Sequence, residues 1–236
     1  MKKINFLFLI LCLNIQAIAQ EETGARVFSS TINEVYFMKY EDGSKVKAEI
    51  TDISKAENAF PEQLLQSILS STSYDWDIYN TLGGKDKAKP KSDKHYNNIK
   101  TINKDKNYFE LKHKLEFEIE GVPTAIVKYY IIMEGKSEYI SAVTVMQKYN
   151  GRWYKTTTKM VSDLAMIVWR LKSNEFEKLI LAKSDDSVLK EVNSKVFVNG
   201  KLDFGMLSKE MESWYAQDTP ANKAKIDYFK DPKTLF

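Results

Sequence analysis

The sequence predicts an α+β fold: an antiparallel sheet, made of a four-strand meander plus an N-terminal hairpin, with helices packed on one face. Three observations carry this. Alternate residues are apolar across 108–120, the period of a half-buried strand. Asn150-Gly151, the pair favoured in two-residue hairpin turns, separates two further strand-like runs. Beyond residue 160 the apolar residues recur every three or four positions, which is the helical period.

Taken in order, Val35–Tyr40 and Lys45–Thr51 flank Glu41-Asp42-Gly43-Ser44, a turn sequence whose glycine can take a positive φ. This is the expected N-terminal hairpin. From Phe60 to Ser71 the apolar residues at 60, 64, 65, 68 and 69 share one helical face, and Pro61 suits the first helical position. Residues 83–94, with Gly83, Gly84, Pro90 and many charges, read as a loop. Between Tyr108 and Glu120 the odd positions are Phe109, Leu111, His113, Leu115, Phe117 and Ile119, and the even positions are mostly charged. Gly121-Val122-Pro123 interrupts this strand, and Ala125, Val127, Tyr129, Ile131 and Met133 mark one side of the next. Gly135-Lys136-Ser137 turns the chain into Tyr139–Tyr149, and Arg152–Lys159 follows the Asn-Gly turn. These four runs are the meander.

Ser162 is placed to cap a helix carrying Leu164, Ile167, Val168 and Leu171, although the β-branched residues there leave a strand as the competing reading. Asn174 and Glu177 have capping-box spacing ahead of Leu179-Ile180-Leu181. Asp185-Asp186-Ser187 suits the start of a helix at Val188. Lys195–Val198 and Lys201–Phe204 flank Asn199-Gly200 as a small hairpin, and Leu207, Met211, Trp214 and Tyr215 mark a last amphipathic helix. From Ala216 the chain turns polar, with two prolines, and a loosely attached tail is expected over 216–236. The expected organisation is therefore a signal over 1–19 and one domain over 20–215. Within that domain the core sheet spans 35–159 and a helical part spans 162–215.

The signal rests on three features. Lys2 and Lys3 precede an apolar run from Ile4 to about Ile15, and Ala17-Ile18-Ala19 supplies small residues before a cleavage point near Ala19-Gln20. Leu11 ahead of Cys12 argues against lipidation. Such a segment directs a bacterial product to the periplasm or outside the cell. No later run approaches the ~18 apolar residues of a membrane span, so none is expected in the mature chain.

Removing residues 1–19 changes the composition. Of 236 residues, with 35 basic and 32 acidic side chains, the remaining 217 keep 33 basic and 32 acidic ones and no cysteine. A near-neutral chain without thiols excludes a polybasic nucleic-acid binder, a disulfide, a thiolate zinc site and a cysteine nucleophile. Sequence motifs for serine hydrolases, zinc proteases, phosphate loops and dinucleotide folds are all missing, and no cofactor or metal is expected.

Two candidate sites remain. His113 lies on the apolar side of the longest alternating run, and Tyr129 lies on the inward side of the next; together they could line a pocket with His113 as its base. The competing reading is a hydrogen-bonded core histidine and a core aromatic. The second candidate is charge. Residues 85–114 hold ten lysines against four acidic groups, and Lys85, Lys87, Lys89 and Lys91 form a candidate anion-contact loop for an acidic glycan or lipid surface. A solvated loop is the alternative. That region lacks arginine and interleaved aromatics, which argues against sequence-specific nucleic-acid recognition. Asp75 and Asp77 read as turn or cap residues, without the spacing of a calcium loop.

The order hairpin, helix, then long strands ending in Lys148-Tyr149-Asn150-Gly151-Arg152-Trp153-Tyr154 resembles the nuclear-transport-factor-two-like (NTF2-like), or cystatin-like, superfamily over about residues 35–159. The resemblance implies a curved sheet with a concave face. That superfamily includes isomerases, dehydratases and non-catalytic binding domains, so it leaves function open. The long N-terminal helix usual there is missing, and no catalytic motif carries over. The sequence favours a non-catalytic binding or envelope-associated module. The alternative is a small-molecule isomerase or hydrolase that uses His113.

Overall fold

The computed structural model describes residues 24–27, 35–157, 159–216 and 219–229. The expected signal and its cleavage point lie outside these residues, as does the end of the tail. The strands are β1 (Gly24–Val27), β2 (Val35–Lys39), β3 (Lys45–Lys47), β4 (Tyr108–Ile119), β5 (Val122–Ile132), β6 (Ile140–Tyr149), β7 (Arg152–Lys155), β8 (Phe197–Val198) and β9 (Lys201–Leu202). The helices are α1 (Pro61–Ser70), α2 (Tyr74–Tyr79), α3 (Asp93–Thr101), α4 (Lys159–Arg170), α5 (Ser173–Ile180), α6 (Ser187–Val196), α7 (Phe204–Ala216) and α8 (Pro220–Phe229). The fold is α+β, with one curved antiparallel sheet in the order β1-β2-β4-β5-β6-β7 and β3 also on β4; β8 and β9 form a separate small hairpin.

The meander is present as expected. β6 and β7 meet at Asn150 (φ 51°) and Gly151 (φ +80°), both in the left-handed region that a tight hairpin turn requires. The N-terminal segments differ from expectation. β2 and β3 do not pair with each other. Both run antiparallel to β4 along the same edge, Lys39 opposite His113 and Lys45 opposite Glu110. Tyr40–Ser44 is therefore an excursion within one broken strand rather than a hairpin turn. Its ends are held by Tyr40 N–H donating to Lys112 O (3.0 Å) and Leu111 N–H donating to Ser44 O (2.9 Å). A long partner strand with a vacant edge can satisfy the backbone groups of both segments, so the chain need not reverse at Gly43.

β4 is interrupted at the same place. Leu111 pairs with Tyr129 and His113 with Lys128, so Lys112 is an extra residue in the ladder to β5, a β-bulge. The bulge shifts the alternation. Phe109 and Leu111 pack with Leu64 and Leu65 of α1, together with Val127, Tyr129 and Trp153. Leu115 and Phe117 pack instead with α4–α7, through Val161, Ile167, Phe176, Leu189, Leu207 and Trp214. On β5, Ala125, Val127 and Tyr129 face α1, while Ile126 faces the C-terminal helices. Helices thus cover both sheet faces rather than one. The physical reason is that α4–α7 alone cannot bury the apolar residues that β2, β4 and β5 present on opposite faces.

α4–α7 form in the regions read as helical, but α4 begins at Lys159, so Ser162 lies within it rather than at its cap; Asp186 caps α6 by accepting from the Val188 and Leu189 amides. α5 starts one residue before Asn174, with Lys172 at its cap position, and no side chain caps it; the expected capping box does not form. Several further elements, β1 and α2 among them, have no counterpart in the sequence reading. α3 begins at the end of the expected loop, runs past it to Thr101 and is capped by Ser92. α8 forms within the expected loose tail and docks Ile226 on the core and Lys225 on Glu191 (2.6 Å). Among the described residues, no helix is long and apolar enough to cross a membrane.

Candidate functional site

His113 and Tyr129 do not share a pocket. The bulge turns His113 toward the C-terminal helices, where it is 0% exposed and its ring stacks on Phe176 (centroids 5.0 Å, planes 10° apart) beside Phe37 (5.7 Å). Tyr129 faces α1, packs on Phe109 (4.5 Å) and hydrogen-bonds through its hydroxyl with Thr144 Oγ1 (3.0 Å). Burial raises the Tyr129 pKa despite that bond.

Both ring nitrogens of His113 are buried without a hydrogen-bond partner among the described residues. Burial pushes its pKa well below the usual histidine value, and the cations of Lys128 and Lys39 push in the same direction. A general base needs access to substrate, and this imidazole is walled in by two aromatic rings. Lys128, also 0% exposed, donates to the carbonyls of Trp169 (3.1 Å) and Leu171. It thereby places a cation at the C-terminal end of α4, where free carbonyls and the helix dipole favour one.

The lysine loop separates into two kinds of residue. Lys85, Lys87 and Lys89 are exposed. Lys91 instead pairs with Asp77 (3.2 Å), whose side chain is 1% exposed and also accepts from Ser71 (3.0 Å) and Tyr96 (2.9 Å). Asp77 therefore ties the loop and α3 to α2, a role beyond a turn or cap. His95, in α3, has its pKa lowered by partial burial and by Lys91, against the opposing pull of Asp77.

The two sheet irregularities create a different site. Opposite the Tyr40–Ser44 excursion, the bulge swings Lys112 over the ring of Tyr130 (4.8 Å), where it also pairs with Glu110. Tyr130 in turn stacks on Tyr139 (3.9 Å, 20°). The start of α5 closes the other side. The result is an open cleft of about 280 Å³ lined by Lys39, Tyr40, Asp42, Lys112, Tyr130, Tyr139, Lys172, Ser173 and Asn174. Three cationic side chains face one carboxylate. Lys39 is steadied by Glu177 (3.2 Å), and Lys172 forms no ion pair among the described residues. Ser173 Oγ is buried without a hydrogen-bond partner among the described residues. The cleft offers several donors and few acceptors.

The sequence carries no distinct signal for this cleft. Lys112 is one of several lysines between apolar residues, and a bulge leaves no mark in a strictly alternating run. Among the described residues, no cluster of three or more His, Cys, Asp or Glu side chains could hold a metal ion. Comparison with known protein families, with curated proteins and with solved structures gives no match to this chain.

Proposed function

We propose that this chain is an exported, non-catalytic binding protein that takes its ligand in the cleft between the β2–β3 excursion, the β4 bulge and the start of α5. The carrying observation is that lysines from three separate elements line one concavity beside the place where β2–β3 and β4 depart from regular pairing. Irregular backbone of this kind re-aims side chains and is concentrated at functional sites. The buried, unpartnered setting of His113 supports binding over the isomerase or hydrolase alternative, because that alternative needs an accessible base. Export is supported by the sequence signal alone, and N-terminal sequencing of the secreted or periplasmic product tests it, with Gln20 expected first. A relationship to the NTF2-like superfamily belongs to the same proposal, supported by the meander and its curved sheet.

Binding itself is tested by amide-resolved NMR of the purified protein against a panel of sugars, dicarboxylates and phosphate esters. Saturable shifts at Asp42, Lys112, Ser173 and Asn174 are expected for at least one class. If every compound that binds perturbs only residues away from these four, the cleft is not the site.

A further inference from the structure

We infer that the cleft is a site for a phosphate or sulfate ester of about monosaccharide size, held by Lys39, Lys112 and Lys172 with Ser173; this rests on the binding role proposed above. The cationic groups are all lysines. An ammonium is a compact point charge with donors that rotate freely, which suits a tetrahedral oxyanion. A planar carboxylate is better matched by the guanidinium fork of arginine, and no arginine lines the cleft.

The donors come from three elements. Lys39 ends β2, Lys112 is the bulge residue of β4, and Lys172 precedes α5. Lys39 and Lys112 already have carboxylate partners, Glu177 and Glu110, which steady their amines at the wall. Exposed pairs such as Lys39–Glu177 contribute little stability, so sharing that amine with a ligand anion costs little. Lys172 brings a charge that forms no ion pair among the described residues. Ser173 adds a buried hydroxyl without a partner among the described residues, at the end of a helix that no side chain caps. The partial positive charge of that end acts in the same sense as the lysines.

Asp42 is the acidic group of the lining. A carboxylate accepts hydrogen bonds and repels anions, so it fits beside hydroxyl groups of the ligand rather than its oxyanion. Asn174 can donate and accept in the same way. The volume, about 280 Å³, lies at the small end of ligand pockets and matches one sugar ring with an ester rather than an extended glycan. A soluble ester and the headgroup of a lipid present the same chemistry.

The test uses isotope-labelled protein titrated with glucose 6-phosphate, inorganic phosphate, glucose and succinate. Glucose 6-phosphate is expected to give saturable shifts at the amides of Asp42, Lys112, Ser173 and Asn174. Inorganic phosphate should move the same amides more weakly, and glucose should move them little. Lys172→Gln and Lys112→Gln should each weaken glucose 6-phosphate about five- to tenfold, with the remaining spectrum unchanged as the check on folding. Lys85→Gln should have no effect. Pelleting with phosphatidylglycerol vesicles that is lost in Lys172→Gln assigns the anion to a lipid headgroup; no pelleting alongside saturable glucose 6-phosphate binding assigns it to a soluble ester. If succinate or glucose saturates the cleft amides and the phosphates do not, the oxyanion assignment is overturned while the binding role stands. If no probe moves those amides, the oxyanion assignment is overturned, and the wider panel decides the binding role separately. Binding as tight in both lysine variants as in wild type also overturns the assignment.

Discussion

His113 makes folding stability depend on pH in a calculable way. In the unfolded chain its imidazole titrates near the ordinary value of 6.5, whereas in the fold burial, Lys128 and Lys39 hold it neutral well below that. Above the unfolded pKa neither state binds the proton, and the contribution of His113 to stability is fully present. As pH falls below 6.5 the unfolded state gains a proton that the folded state refuses, and stability drops until the folded pKa is reached. The slope approaches about 1.4 kcal/mol per pH unit, so lowering the pH from 7 to 5 should cost up to about 2 kcal/mol from this residue. His113→Phe keeps a ring against Phe176 and Phe37 and removes the titration, and His113→Leu removes the titration with an aliphatic side chain. Urea unfolding of wild type and both variants at half-unit steps between pH 7 and 5 reads the difference directly. The other histidine, His95, is common to all three proteins and cancels in the comparison. The His113 imidazole resonances should also keep their neutral positions as the pH falls through the ordinary histidine value in wild type. If wild type and variants lose stability in parallel, or if His113 titrates near 6.5 in the folded protein, it is not sealed as described.

Three further expectations follow from the same structure and are read by chemical denaturation. Leu115→Ala or Phe117→Ala, which truncate buried side chains, should each cost about 2–5 kcal/mol, while Glu116→Ala should cost under about 1 kcal/mol; equal costs would mean the strand faces are misassigned. Lys112→Ala should leave the fold near its original stability, within about 1 kcal/mol. Deleting residue 112 should prevent cooperative folding, because it turns one half of β4 to the wrong face; a well-folded deletion variant would refute the bulge. Combined substitution of Lys85, Lys87 and Lys89 by Gln should change stability by less than about 0.5 kcal/mol, and adding Lys91→Gln should cost a further 1–2 kcal/mol or about that, because Asp77 stays buried without its cation. Four equal contributions would contradict the distinction between Lys91 and its neighbours.

What was legible in the sequence was local. The long strands of the meander show in their alternation, and Asn150-Gly151 marks the last hairpin because few residue pairs accept two left-handed positions in succession. The helical spacing from Leu164 to Trp214 marked the C-terminal helices for the same reason: burial of one face imposes its period on the sequence. α3 was hidden because a short, polar helix bearing mainly Tyr96 inward offers no periodic stripe.

The tertiary structure alone decided which side each residue faces. From Phe109 to Phe117 every odd position is apolar or is His113, as in an uninterrupted strand with one buried face. With apolar layers on both sides of the sheet, the same odd positions can serve both, and one bulge at Lys112 sends Phe109 and Leu111 to α1 and Leu115 and Phe117 to the C-terminal helices. That inversion separates His113 from Tyr129 and brings Lys112 into the cleft with Lys39 and Lys172, three residues each 60 or more positions from the next along the chain. Alternation is a property of neighbouring residues; the face it points to depends on pairing registers set by distant strands, and those are decided only when the two layers pack.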